Sequence, residues 1–212
     1  MRQFIFLPLA VVVLTLTACS EPDRPSIPLY LAVQRGDLDQ LERHIHWGTD
    51  INSELPNGQY PLHVAAEKGR IVMVKTLLKH GAEIDPADAS GETALGLAIL
   101  AGRTQIAEVL LGAGARLDAS QLLLKAAEVN VTDRDTPRFL IAHGADTEQR
   151  NADGDTALLI AIRRDNHRLA THLVREGADV NVQAADGRSA LALARQLGFA
   201  ELIQLLERNG AS

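Results

Sequence analysis

Residues 58–66 read Gly-Gln-Tyr-Pro-Leu-His-Val-Ala-Ala, and the run continues through Gly69 and the stretch Ile71 to Leu78 to reach Gly81. Gly58 is a turn residue, and a helix follows it with Pro61 in the first turn, where a missing N–H is tolerated. Gly69 closes that helix in the left-handed conformation. A second helix carries Ile71, Val74, Leu77 and Leu78 on one stripe, and Gly81 closes it in turn. Neither helix has enough apolar surface to fold alone, so each must be stabilised by neighbours of its own kind.

Those neighbours are visible on both sides. Gly-Ala pairs, or the Gly-Thr variant, begin at Gly48, Gly81, Gly114, Gly144, Gly177 and Gly210, at intervals of 33, 33, 30, 33 and 33 residues. A second series runs Gly58, Gly91, Gly154 and Gly187. A third runs Gly36, Gly69, Gly102 and Gly198, with Asp165 at the equivalent place. Asp tolerates left-handed backbone better than most residues. Three phased series at one period mark a repeat architecture.

The stretch Tyr60-Pro61-Leu62-His63, with Thr93-Ala94-Leu95, Thr156-Ala157-Leu158 and Ser189-Ala190-Leu191 in phase with it, resembles the ankyrin repeat. The resemblance covers residues 27–212. It implies an all-α ankyrin-repeat solenoid of six helix-turn-helix units with short β-turn fingers: 27–52, 53–85, 86–118, 119–148, 149–181 and 182–212. By the same resemblance His63 is a structural histidine that hydrogen-bonds the backbone of adjacent turns.

Three units depart from the pattern. The last carries Glu207 where inner units have Leu78, Leu111 and Val174, as a unit with nothing stacked beyond it would. The first lacks the turn glycine and has Tyr30 at the histidine position. The fourth is degenerate: it is short and has no finger motif. Ser120 is expected to cap its first helix. Thr136 is expected to cap the second, with Pro137 at the first helical position. A long loop, Val129 to Asp135, should join them. A missing finger there is either drift at a tolerant site or a notch that accepts a protrusion from a partner.

The N-terminus reads as a processing signal. Arg2 precedes an apolar run from Phe4 to Thr17, about 21 Å long as a helix and too short to span a membrane. Leu16-Thr17-Ala18-Cys19 resembles the lipobox of bacterial lipoproteins. That resemblance implies cleavage after residue 18, lipidation of Cys19 and a membrane contact through that lipid. Ser20 after the cysteine is similar to lipoproteins sent to the outer membrane. Residues 19–26, with Pro22 and Pro25, are expected to form a stiff, extended tether. The expected location is the periplasmic side of a bacterial envelope.

Composition narrows the chemistry. The chain has 212 residues and a formal charge of −6, so no global field draws in nucleic acid. Cys19 is its single cysteine, which excludes an intrachain disulfide and a cysteine metal cluster. His44 and His46, two apart in a helix, do not share a face, and His167 and His172 are five apart. No metal site and no cofactor are expected. No serine stands in a nucleophile elbow, and Gly112-Ala113-Gly114-Ala115 lacks the lysine of a phosphate loop. No catalytic residues are expected, and the chain reads as a non-enzyme.

The ankyrin resemblance implies a protein partner on the concave face, built from finger tips and the inner side of the first helices. By position the tips are Pro56, Asn57, Gln59, Ala89, Ser90, Glu92, Asp153, Asp155, Asp186 and Arg188. The inner helix positions are Glu67, Lys68, Leu100, Arg163, Arg164 and Gln196. Arg163, Arg164, Arg188 and Arg195 would make the late repeats basic, opposite an acidic early end; a solvated face of mixed charge is the alternative. Trp47 is either a hot spot or a residue packed against the tether. The expected function is a monomeric, non-catalytic binding lipoprotein, an adaptor or an inhibitor such as an immunity protein against a toxic enzyme. Support of oxidative-stress resistance and envelope scaffolding are the alternatives.

Overall fold

The computed structural model describes residues 21–212. Cys19 and the apolar run before it lie outside the described residues. Twelve helices form six pairs among the described residues: α1 (Leu29–Arg35) and α2 (Leu38–His46), α3 (Pro61–Glu67) and α4 (Ile71–Lys79), α5 (Ala94–Leu100) and α6 (Thr104–Gly112). They continue as α7 (Ala119–Glu128) and α8 (Asp135–Ala142), α9 (Ala157–Arg163) and α10 (His167–Arg175), α11 (Ala190–Leu197) and α12 (Ala200–Arg208). The odd-numbered helices stack in one layer and the even-numbered helices in the other.

One alanine per unit makes this close stacking possible. Ala32, Ala65, Ala98, Ala126, Ala161 and Ala194 are all fully buried in the odd helices. Between them lie Leu41, Leu77, Leu110, Leu140 and Leu173, equally buried on the even helices. The Ala- and Leu-rich composition is thus the core itself, and each unit buries its apolar stripe only against the next.

Helix ends follow the sequence pattern. The Gly69 backbone is left-handed at φ 75°, and Arg70 N–H donates to the Ala65 carbonyl at 2.8 Å. Asp165 adopts φ 60° in the same place, as expected. In the fourth unit Asn130 fills this role at φ 63°; Asn, like Asp, tolerates the region. Four fingers, centred on Gly58, Gly91, Gly154 and Gly187, are closed by Leu55 N–H to Gln59 O, Asp88 to Glu92, Asn151 to Asp155 and Ala184 to Arg188.

The fourth unit departs from its sequence reading in two details. Ser120 does not cap α7; Asp118 does, accepting from Gln121 N–H at 3.0 Å. Ser120 Oγ instead accepts from Asp146 N–H at 2.8 Å. That bond continues a ladder in which Asn52 accepts from Glu83 N–H, Asp85 from Arg116 N–H and Glu148 from Asp179 N–H. Nor does Thr136 cap α8. The helix starts at Asp135, which places Pro137 at its third residue. Asp133 supplies the cap by accepting from Thr136 N–H at 2.8 Å. This frees the Thr136 hydroxyl, fully buried, to donate to the Ile99 carbonyl of the third unit at 2.9 Å. The expected long loop is present between α7 and α8.

Residues 21–26 of the stretch read as an extended tether lie against α2. Trp47 Nε1 donates to the carbonyls of Pro22 and Asp23 at 3.1 and 3.3 Å, and the Arg24 guanidinium sits 4.9 Å over its ring. Asp23 pairs with Arg43, Ser26 N–H donates to Gln40, and buried His44 holds the Ile27 carbonyl at 2.8 Å. Trp47 therefore packs against this segment, the second of its two readings.

Candidate partner-binding face

Each finger leads into an odd helix, so finger tips and the exposed side of the odd layer form one continuous face. The residue after the turn glycine and the residue eight positions on, at the helix end, meet across it. Gln59 Nε2 donates to Glu67 at 3.3 Å in the second unit. Arg163 Nε reaches Asp155 at 2.9 Å in the fifth, and Arg188 donates to Gln196 at 2.8 Å in the sixth. Only the third unit breaks the rule. Its helix end is Leu100, which offers no polar partner, and Glu92 turns to Lys125 of the fourth unit at 3.3 Å. Sequence spacing alone places these pairs one above the other but does not show that they bond.

Most of the sixteen positions expected on this face are exposed: Pro56, Asn57, Lys68, Ala89, Ser90, Asp153, Arg163, Arg164, Asp186, Arg188 and Gln196. Gln59, Glu67, Glu92 and Leu100 are half-buried. Asp155 is the exception, at 6% exposure. It is a strut under the finger rather than a tip. Burial pushes its carboxyl above the ordinary range, opposed by the Arg163 guanidinium, and Oδ1 has no hydrogen-bond partner.

The expected basic end is also corrected. Arg163 spans Asp155 and Asp186, Arg188 pairs with Asp186 at 2.7 Å, and Arg195 pairs with Glu207 at 2.7 Å. Hydrogen bonds from the Arg188 side chain and backbone, with Arg163 behind them, hold the Asp186 carboxyl well below its usual range. Three of the four arginines are neutralised within the face, so it carries mixed charge rather than a basic field. The Glu207 charge serves Arg195 at the end of the stack.

His63 has the structural role expected of it. Its Nε2 lies 3.1 Å from the carbonyls of both Pro86 and Glu92, tying α3 to the third finger. Burial lowers its pKa against the opposing pull of Asp88 and the two carbonyls. Asp88 is itself lowered: burial raises it, but the Ser90 hydroxyl and the backbone N–H groups of Glu92 and Ser90 outweigh that. Among the described residues, no three His, Cys, Asp or Glu side chains gather to hold a metal ion. No helix of these residues is long and apolar enough to cross a membrane.

A hollow of about 360 Å3 interrupts the face where the fourth finger is missing. Neighbouring odd helices pack closely at every joint except that between α5 and α7. Leu95, Leu117 and Leu122 give the hollow apolar walls, and Gln121 and Lys125 line it beside them, with Glu92, Arg116 and Asp118 also in its lining. None of these was singled out from sequence. The short fourth interval located the gap but not its walls.

The model for ankyrin repeats matches residues 29–121 and 123–212. The chain belongs to the ankyrin-repeat family. Among solved structures, this ankyrin-repeat protein is similar to a chain from the complex of the predatory endopeptidase Bd0816 of Bdellovibrio bacteriovorus with the immunity protein Bd3460. That match has 26% identity over 87% of this chain and 99% of that one, with a TM-score of 0.70. It is similar to an ankyrin repeat domain from Acinetobacter baumannii AYE at 28% identity, over 87% and 98% of the two chains, with a TM-score of 0.67. The human ASB11 ankyrin repeat domain matches at 26% identity over 88% and 85%, with a TM-score of 0.73. No curated protein matches it. Ankyrin repeats are protein-interaction scaffolds, and binding a protein is the general role this fold carries.

Proposed function

We propose that this protein is a non-catalytic binding lipoprotein, anchored through Cys19 on the periplasmic side of a bacterial envelope, that captures a protein on its concave face and acts as an inhibitor of it. The observation that carries the reading is the finger face itself. Its side chains are fixed by ties between finger and helix end, yet most remain exposed and their charges are balanced. Such a surface is already ordered before a partner arrives, which lowers the entropic cost of binding. The likeness to a chain from an endopeptidase–immunity protein complex supports inhibition of an enzyme over simple scaffolding. Cys19 supports attachment, since it stands directly after an apolar run at a lipobox-like motif.

Two measurements test this. Full-length protein solubilised from envelopes and purified by affinity should carry one stoichiometric protein partner, and adding the purified chain to that partner should lower its enzymatic activity. A chain that recovers nothing, or a partner whose activity is unchanged, refutes the inhibitor reading. Cys19→Ser should move the protein from the membrane to the soluble fraction; retention in the membrane refutes the lipid anchor.

A further inference from the structure

Finger stacking in this chain follows a socket-and-plug rule. A Cβ added at Gly58 would lie 2.6 Å from the Cβ of Ala89, so the second finger must be bare there for the third to close on it. Ala89 N–H then donates to the Gly58 carbonyl at 3.0 Å. A looser form of the side-chain approach recurs between Gly154 and Ala185, at 3.5 Å, where the Gly154 carbonyl accepts from the Arg150 guanidinium instead. Where two fingers are adjacent, the earlier therefore offers a glycine socket and the later an alanine plug.

The missing fourth finger leaves this interface half made on both sides. At Gly91 an added Cβ would meet nothing within 4 Å, as at Gly187 of the last finger. Among the described residues no group donates to the Gly91 carbonyl. On the far side Ala152, in the plug position of the fifth finger, has no finger before it. The hollow between them has apolar walls at Leu95, Leu117 and Leu122, open because α5 and α7 stand apart.

We propose that this notch receives a β-turn from the protein partner, which takes the place of the fourth finger. The inference rests on the protein-binding reading above and names the part of the partner that the face selects. Continuity with the flanking finger stack sets the chemistry of the occupant. It has a small residue, alanine-like, against Gly91, and a backbone N–H directed at the Gly91 carbonyl. It also has an aliphatic side chain over the leucine walls. The close approach at Gly58 favours a small residue at the plug position.

The chain supplies its own probe. A cyclised peptide copying residues 182–189 carries the plug Ala185 and the aliphatic Val182. Titrated into the full chain at about millimolar concentration, the range of a single small contact surface, it should saturably shift the backbone NMR signals of Gly91, Leu95, Gln121 and Leu122. A peptide with Lys at the Ala185 position should not. Gln121→Trp, which fills the hollow from an exposed position, should abolish the shifts while leaving the thermal melt unchanged. No shifts at Gly91, or shifts confined to the open Gly187 end, overturn the proposal. The two readings fail separately. If envelope purification recovers a partner equally with wild type and Gln121→Trp, and the peptide is inert, the notch proposal falls and partner binding stands. If the peptide docks but no partner is recovered, the notch stands and the inhibitor reading falls.

Discussion

The joint between the second and third units and the joint between the third and fourth are built from the same repeat but held by different means. In the first, α3 packs directly on α5, and His63 and the Gly58–Ala89 contact lock finger to finger. In the second, α5 and α7 stand apart, and the finger contact is absent. What remains is the even layer, where α6 packs on α8, together with the Glu92–Lys125 ion pair and the Thr136 hydroxyl on the Ile99 carbonyl. A solenoid can thus open its binding face at one joint provided that the opposite layer and one buried hydrogen bond keep the stack continuous.

Core truncations test whether the open joint is as firmly packed as the closed one. Leu140 in α8 and Leu77 in α4 are both fully buried. Leu140→Ala and Leu77→Ala should each destabilise by about 2–5 kcal/mol in urea melts. A clearly smaller loss for Leu140→Ala would show that the even layer does not compensate for the gap. Asp133 comes next, because it accepts from the Thr136 N–H at the start of α8 at 2.8 Å. Asp133→Ala should cost roughly 1–2 kcal/mol. Thr136→Val keeps the shape, removes the bond to Ile99 and should cost about 1 kcal/mol. Amide exchange should quicken around α7 in that variant and remain unchanged around α3.

The smallest effect is the pH response of the closed joint. His63 is buried with its pKa lowered from 6.5, facing the Asp88 carboxylate, the Pro86 and Glu92 carbonyls and the Tyr60 ring. The unfolded chain therefore takes up the proton first as pH falls. The stability contributed by neutral His63 is full above about 6.5 and is lost as pH drops through that value toward the lower folded pKa. The melting temperature of wild type should fall over this window, and His63→Gln should flatten the fall. An unchanged slope would remove His63 from the account.

The regular joints were legible in the sequence because their signals are local. A glycine, an Asp or a proline at a fixed offset imposes one backbone conformation, and an apolar stripe imposes one buried face. Asp165 and Gly69 could be placed this way, and His63 by its position in the repeat that the chain resembles. The fourth unit was legible only as a deviation. Asp118 and Asp133 won the caps from Ser120 and Thr136 because both helices start earlier than those two residues would set; the Ser120 hydroxyl then serves Asp146 at the end of the same unit and the Thr136 hydroxyl serves Ile99 of the third. The late arginines misled for a related reason. Residue spacing puts Arg163, Arg188 and Arg195 on the face, but it does not show that Asp186 pairs with both Arg163 and Arg188 or that Glu207 of α12 reaches Arg195.

The finger face is the proposed working surface. That role is tested most directly by purifying three full-length proteins from envelopes: wild type, the finger-face variant Leu100→Arg with Arg164→Glu, and Lys75→Glu on the exposed side of α4. Wild type and Lys75→Glu should recover the same partner in the same amount, and the finger-face variant should lose it while keeping its thermal melt. Equal recovery by all three, or loss caused by Lys75→Glu instead, would contradict the account.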